Sequence, residues 1–230
     1  MALAAGLLVA PAAPSGAATA SSVAAFPVQA TTLSVTKGAS TYVYGASAKL
    51  AVHLSVPDAT VSVYATPYHG TKKLLTTTVV DANGDLTVTT PVTVRTAFTV
   101  EYAGDVEHEP AIAGTHVDVR AKVTTRTTRV IGHSGSYQLV RTGSKPYVVG
   151  TVAPSHAGQC VKFQGQEPKG SGWGYTQTTD CFRLNSKSAT SVYFGSSWPA
   201  GAKVRMRVLW GGDTKNAAAN SAWTYLKFVR

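Results

Sequence analysis

Hydrophobic and polar residues alternate along most of the chain beyond residue 30. In the first half Leu50, Val52, Leu54 and Val56 alternate with Ala51, His53 and Ser55. This period of two sends one set to each side of an extended backbone, as in a half-buried strand. Val61-Ser62-Val63-Tyr64 and Leu74–Val80 continue the pattern on either side of Tyr68-His69-Gly70-Thr71, a hairpin signal, and Asp81-Ala82-Asn83-Gly84-Asp85 marks another turn. The second half predicts strands at Tyr147–Val152, Cys160–Gln164, Tyr175–Cys181, Thr190–Phe194 and Lys203–Trp210. Short alternating strands at this spacing, with turn residues between them, predict a β-sandwich. Neither half carries an apolar helical period.

The two halves are degenerate copies of one plan. Thr31-Thr32-Leu33-Ser34-Val35 opens one unit and Thr127-Thr128-Arg129-Val130-Ile131 opens the other. Near its end the first unit runs Phe98-Thr99-Val100-Glu101-Tyr102-Ala103-Gly104-Asp105. The second runs Arg205-Met206-Arg207-Val208-Leu209-Trp210-Gly211-Gly212-Asp213. In each, an alternating strand ends on an aromatic, x-Gly-Asp follows, and a final strand closes the unit, over Thr115–Val119 and Trp223–Val229. A repeat of this kind sets the architecture. Two tandem sandwiches are expected over residues 31–122 and 123–230, joined near Ala121–Arg126, the second being the longer.

Tyr44-Gly45, Asp81–Asp85 and Tyr102-Ala103-Gly104-Asp105 in the first unit, with Val161, Trp173 and Trp210-Gly211-Gly212-Asp213 in the second, resemble the bacterial immunoglobulin-like repeats of secreted actinobacterial proteins. The resemblance spans residues 31–230. It implies an all-β fold of two tandem immunoglobulin-like β-sandwich domains. Its motifs mark structure rather than chemistry. The second unit departs from the usual repeat by its two cysteines, its length and its charge.

Composition agrees with the pattern. Thr (30) and Val (29) make up about a quarter of the 230 residues, while charged residues are only 14%. β-Branched side chains suit pleated sheets, and the scarcity of Glu, Lys, Gln and Arg argues against long surface helices. A helical bundle, a coiled coil and a conventional α/β enzyme are therefore excluded. So is disorder, because 44% apolar residues with ten Tyr and four Trp can fill a core.

Residues 1–30 are expected to be a signal peptide and disordered leader. Leu3, Leu7, Leu8 and Val9 form a short apolar run interrupted by Pro11 and Pro14, and Ala18-Thr19-Ala20 has the small-x-small form of a cleavage site after Ala20. No basic residue precedes the run. It is too short for a bilayer span, and no second apolar segment follows, so no transmembrane segment is expected. The expected location is secreted, extracellular. Cys160 and Cys181 fit that compartment. Cys160 stands ten residues before Gly170 and Cys181 ten after Ser171, so a symmetric hairpin turning at Gly170-Ser171 would set them opposite one another, within disulfide reach.

Charge separates the units. Residues 31–120 hold 6 Lys/Arg and 8 Asp/Glu, whereas residues 121–230 hold 15 and 3. All four Trp also lie in the second half. In Lys203-Val204-Arg205-Met206-Arg207-Val208 the alternation sends Val204, Met206 and Val208 to the core and Lys203, Arg205 and Arg207 to the opposite face. If Leu226 and Phe228 point inward, Trp223, Tyr225 and Lys227 join that face from the neighbouring last strand. Lys162, with Gln164, extends it from the hairpin strand. The matching positions of the first unit are Arg95, Ala97 and Thr99, so the fold itself does not require the cations. Cations beside flat aromatics suit an anionic polymer or a carbohydrate, by ring stacking and charge pairing. Long basic stems also cover aromatic rings with no ligand involved.

Other candidate chemistry is weaker. Asp81-x-Asn83-x-Asp85 has the spacing of a calcium-loop start, but Val92 stands where a closing Glu would be, and Asp, Asn and Gly suit a hairpin turn for backbone reasons alone. Asp105, Glu107, His108 and Glu109 read as a solvated loop. The six His (His53, His69, His108, His116, His133, His156) are scattered, and no Gly-x-Ser-x-Gly elbow occurs. No metal, cofactor or catalytic residue is assigned. The expected role is a non-catalytic binding or spacer module at the cell surface. Its partner would be an anionic cell-wall polymer or another extracellular protein, with no specific nucleic acid.

Overall fold

In a computed structural model, residues 27–193 and 198–230 are described. The expected leader lies outside them except for residues 27–30, and so does Phe194. Every regular element among the described residues is a β-strand. None is a helix that could cross a membrane.

The chain up to residue 120 forms β1 (Leu33–Lys37), β2 (Thr41–Val43), β3 (Ser47–Leu54), β4 (Thr60–Pro67), β5 (Lys73–Val79), β6 (Asp85–Pro91), β7 (Thr96–Tyr102) and β8 (Ala111–Arg120). These make two sheets, ordered β1-β3-β6 and β2-β8-β7-β4-β5. Alternation decides what faces inward. Ala48, Leu50, Val52 and Leu54 of β3 are buried, whereas Ser47, Lys49, Ala51 and His53 between them are exposed. They share a core with Val61 and Val63 of β4, Phe98 and Val100 of β7, and Val117 and Val119 of β8.

The rest of the chain forms β9 (Lys122–Thr127), β10 (Val130–Ser134), β11 (Tyr137–Arg141), β12 (Tyr147–Ala153), β13 (Cys160–Lys169), β14 (Gly172–Thr178), β15 (Phe182–Arg183), β16 (Ala189–Tyr193), β17 (Lys203–Trp210), β18 (Ala219–Asn220) and β19 (Thr224–Val229). One sheet is ordered β16-β12-β9. The other is β10-β11-β19-β17-β13-β14, with β15 on β13 and β18 on β17. A separate core gathers Val148, Val152, Val161, Phe163, Val204, Val208, Leu226 and Phe228.

The two halves match strand for strand. β1-β3-β6 corresponds to β9-β12-β16, and β2-β8-β7-β4-β5 to β11-β19-β17-β13-β14. Even the parallel pairs correspond, β2 with β8 and β11 with β19. About half of the second half's greater length is a hairpin, in which β10 and β11 occupy the connection that holds only the three-residue β2 in the first; the rest lies in longer connections after β14, β16 and β17.

Three local expectations change. Residues 122–126 do not pass between units; they belong to β9, which pairs with β12, so Ala121 alone separates β8 from β9. The joint is instead tied by side contacts. Asn216 Nδ2 donates to the carbonyls of Thr93 at 2.9 Å and Val119 at 3.3 Å, and Arg95 N donates to Lys215 O at 2.9 Å. The Asp81–Asp85 turn is not a hairpin. It links β5 and β6, which lie in different sheets. Asp81 Oδ1 accepts the Asn83 and Asp85 amides at 2.8 and 2.9 Å, and Gly84 has φ +79°, where an added Cβ would collide with the Leu54 carbonyl. These residue types therefore serve the backbone of the turn.

The third change concerns register. The hairpin turns at Gly170-Ser171, with Lys169 opposite Gly172, but a bulge between Gly165 and Glu167 shifts the pairing. Arg183, not Cys181, lies opposite Cys160. The two cysteines are still joined in a disulfide, with Cα atoms 5.3 Å apart. A diagonal offset of two residues leaves them within reach.

Gly84 and Gly45 separate two costs. Gly45 has φ +80° with open space around its Cβ position. Gly45→Ala should lower unfolding free energy by about 1–2 kcal/mol, the left-handed penalty alone. Gly84→Ala should lose about 2–5 kcal/mol, because the steric clash adds to it. Urea denaturation of both variants checks the ordering.

Candidate functional site

Strand β17 lies mid-sheet between β13 and β19. Val204, Met206 and Val208 are buried, and Lys203, Arg205 and Arg207 take the other face, as the alternation requires. Leu226 and Phe228 are buried on β19, so Tyr225 and Lys227 share the face with the β17 cations. Antiparallel register sets Arg205 opposite Tyr225, and Lys203 opposite Lys227. On the other flank Gln166 lies opposite Arg205, Gln164 opposite Arg207, and Lys162 opposite Leu209. The structure thus brings Lys162, Lys203, Arg205, Arg207, Trp223, Tyr225 and Lys227 onto one sheet face.

The arginines are held from two directions. Arg205 Nε donates to Gln166 Oε1 and Arg207 Nε to Gln164 Oε1, each at 2.7 Å. The Arg205 guanidinium lies 4.2 Å from the Trp223 ring centroid and 4.8 Å from that of Trp173, while Arg207 lies 4.5 Å from Trp223. Trp173 packs edge-on to Tyr225 at 5.7 Å, and Tyr225 to Tyr137 at 5.9 Å. Lys203 Nζ stands 5.3 Å from the Tyr137 ring. Guanidinium–indole contacts contribute about 0.5–2 kcal/mol each, depending on desolvation. Their larger effect here is to limit the rotamers of two flexible side chains.

This arrangement refines the expected chemistry. The indole rings make their close contacts with guanidinium groups, so the basic stems do clad the aromatics. What the face offers outward is charge. Among the described residues no acceptor takes the Nη groups of Arg205 or Arg207. No described carboxylate forms a salt bridge with the five cations of the face. Lys203 directly opposite Lys227 is an unfavourable like-charge pair.

The sequence pattern does not single out Tyr137, because no strand is expected between Ile131 and Pro146. It marks Trp173 only among the residues that carry the resemblance, not as a member of this face. Gln166 carries a faint signal, the period-two spacing from Gln164 that places both beside the arginines.

The x-Gly-Asp turns form a second kind of cluster. Gly104 and Gly212 have φ +80° and +84°, and each abuts backbone that leaves no room for a Cβ. Asp105 Oδ1 accepts the amides of Glu107 and His108, and Asp213 Oδ1 those of Lys215 and Asn216, at 2.8–2.9 Å. In the first half Tyr102 Oη donates to Asp105 Oδ2 at 2.7 Å. Burial, then the Asp105 hydrogen bond and charge, push the Tyr102 hydroxyl up to about 12, and that hydrogen bond leads the causes holding Asp105 below the usual carboxylate range.

In the second half Trp210 Nε1 donates to Gln159 Oε1 at 3.1 Å, and Gln159 Nε2 to Asp213 Oδ2 at 2.9 Å. His156, its side chain only 3% exposed, places Nδ1 3.1 Å from Asp213 Oδ2 and its ring 4.2 Å from the Trp210 ring. The carboxylate only accepts, so Nδ1 carries the imidazole proton. Nε2 is buried with no hydrogen-bond partner. Burial lowers the His156 pKa, partly offset by Asp213. Burial raises that of Asp213, but hydrogen bonds from Gln159 and the Asn216 and Lys215 amides outweigh it, leaving the carboxyl below its ordinary value. His53, by contrast, is exposed and paired with Asp85 at 2.8 Å.

No family model matches this chain, and no curated protein matches it.

Two outcomes follow from these clusters. A neutral buried His156 contributes stability that is present above the unfolded-state pKa near 6.5 and is lost as pH falls below it. Denaturant midpoints should therefore drop between pH 7 and pH 5, and His156→Gln should flatten that dependence. Trp223→Ala should cost about 1–3 kcal/mol by removing the ring shared by both arginines, measured by the same unfolding curves at pH 7.5.

Proposed function

We propose that the chain is a secreted, non-catalytic protein of two tandem immunoglobulin-like sandwiches, which meet at Ala121 rather than at the expected boundary between residues 122 and 123. In this reading the second sandwich contacts an anionic polymer of the cell surface. The matching strand orders of the two halves support the tandem arrangement and the resemblance to bacterial immunoglobulin-like repeats. The Cys160–Cys181 disulfide supports an oxidising compartment. One observation carries the contact: Arg205 and Arg207 are held against indole rings with Nε committed to glutamine, leaving their Nη hydrogens for an external anion. Such preorganised forks lose little freedom on pairing. Lys203, Lys227 and Lys162 add charge around them.

The first sandwich acts as scaffold. Its Arg95, at the matching position, is already paired with Asp118 at 3.1 Å.

Retention on anionic cell-wall polymers across a salt series tests the contact. The wild type should be retained at low salt and released as salt rises. Arg205→Glu/Arg207→Glu should abolish retention. Lys203→Gln/Lys227→Gln, which leaves the ladder of rings and guanidinium groups intact, should shift elution to clearly lower salt. Equal retention of all three proteins would place the contact away from this face and overturn the reading of it; retention of none would leave only a spacer.

A further inference from the structure

The cations of β17 form a row with a defined repeat. Lys203, Arg205 and Arg207 occupy every second residue of one strand, on one face. From each Cα to the next but one there are six backbone bonds, and an extended strand advances about 6.6 Å over them. The row continues toward Leu209, where Lys162 stands alongside on β13. Lys227 lies beside its first member. The two arginines cannot easily wander from this spacing, because Gln164 and Gln166 sit at the same repeat on the adjacent strand and hold one Nε each.

A linear polymer pairs with such a row in register only if its charges recur at the same interval. Phosphodiesters linked through three carbons also repeat every six backbone bonds, and extended chains advance about 1.1–1.2 Å per bond, so their phosphates recur at roughly 7 Å. Each phosphate offers oxygens that an arginine fork can bind in a bidentate manner. A five-carbon linker repeats every eight bonds, at roughly 9 Å, and falls out of step within one repeat. A polyuronate carries its carboxylates on stiff rings and cannot adjust its interval to the row.

We infer that the β17 face binds a linear phosphodiester polymer with a six-bond repeat, lying along the strand with successive phosphates on Lys203, Arg205 and Arg207. This rests on the polyanion reading above and names its ligand class. A glycerol-phosphate chain and a single-stranded nucleic acid share this chemistry. They differ in that only the latter presents bases to the rim of aromatic rings.

The test measures binding of the full chain to end-labelled polymers by fluorescence anisotropy, at equal phosphate or carboxylate concentration. The probes are poly(glycerol phosphate), poly(ribitol phosphate), oligodeoxythymidylate and polygalacturonate. Poly(glycerol phosphate) should bind at least about five-fold more tightly than poly(ribitol phosphate), which engages one fewer cation in register, and more tightly still than polygalacturonate. Its affinity should fall with a log–log salt slope of about −2 or steeper, for three or more phosphates engaged. Lys203→Gln should reduce that slope by about 0.7 without disturbing the ladder.

Oligodeoxythymidylate binding as tightly as poly(glycerol phosphate) would support the shared six-bond chemistry. Weaker binding would assign the site to the base-free polymer. Equal affinity for all four probes would overturn the six-bond match while leaving polyanion binding intact. No binding to any of them would overturn both.

Discussion

Side-chain parity along an extended backbone decides both what fills the core and what the sheets present to solvent. On β17 one parity fills the core with Val204, Met206 and Val208, and the other presents Lys203, Arg205 and Arg207. A slip of one residue would bury three cations and expose the apolar set, so register is strongly specified. Antiparallel pairing with β13 and β19 then does the remaining placement. It brings two glutamines to one side of the arginines and Tyr225 to the other. The cationic face is therefore a consequence of core packing, with its chemistry chosen at positions the core leaves free.

The contrast between the halves shows that freedom. Both build the same pair of sheets, and both close the penultimate long strand on an aromatic followed by x-Gly-Asp, with a left-handed glycine and a carboxylate capping two amides. In the first half the outward residues of that strand are Ala97, Thr99 and Glu101; in the second they are Lys203, Arg205, Arg207 and Leu209. The capping turn diverges too. Tyr102 meets Asp105 directly, whereas Trp210 reaches Asp213 through Gln159, with His156 sealed against both. The same second-half turn carries Asn216, whose amide ties it to Thr93 and Val119 of the first half.

Much of this is legible in the sequence because alternation is a local signal. The buried and exposed sets of β3, β17 and β19 follow from their sequences, as does the turn at Gly170-Ser171. What is not legible depends on distant partners. The Asp81–Asp85 turn crosses between sheets because β5 pairs with β4 and β6 with β3, and no local residue type encodes that choice. The bulge near Gly165 shifts the register by one residue and the stretch between Thr178 and Phe182 by one more, so Cys181 sits two residues from the position opposite Cys160, an offset that a symmetric hairpin count cannot contain. His156 and Asp213 are far apart in sequence and meet only through the fold. Tyr137 reaches the cationic face because β11 adds in parallel to β19, a pairing with no short-range signature.

In this reading, charge on the β17 face, not the aromatic rings or the first half, meets the ligand. Two-dimensional NMR of arginine Nε–H and tryptophan Nε1–H resonances, recorded while poly(glycerol phosphate) is added, observes this directly. The Arg205 and Arg207 signals should shift progressively with polymer, with Trp173 and Trp223 following and Trp210 unmoved in its buried cap. Unchanged Arg205 and Arg207 signals at saturating polymer, or shifts centred on Arg95, would rule out the β17 face as the polymer's contact.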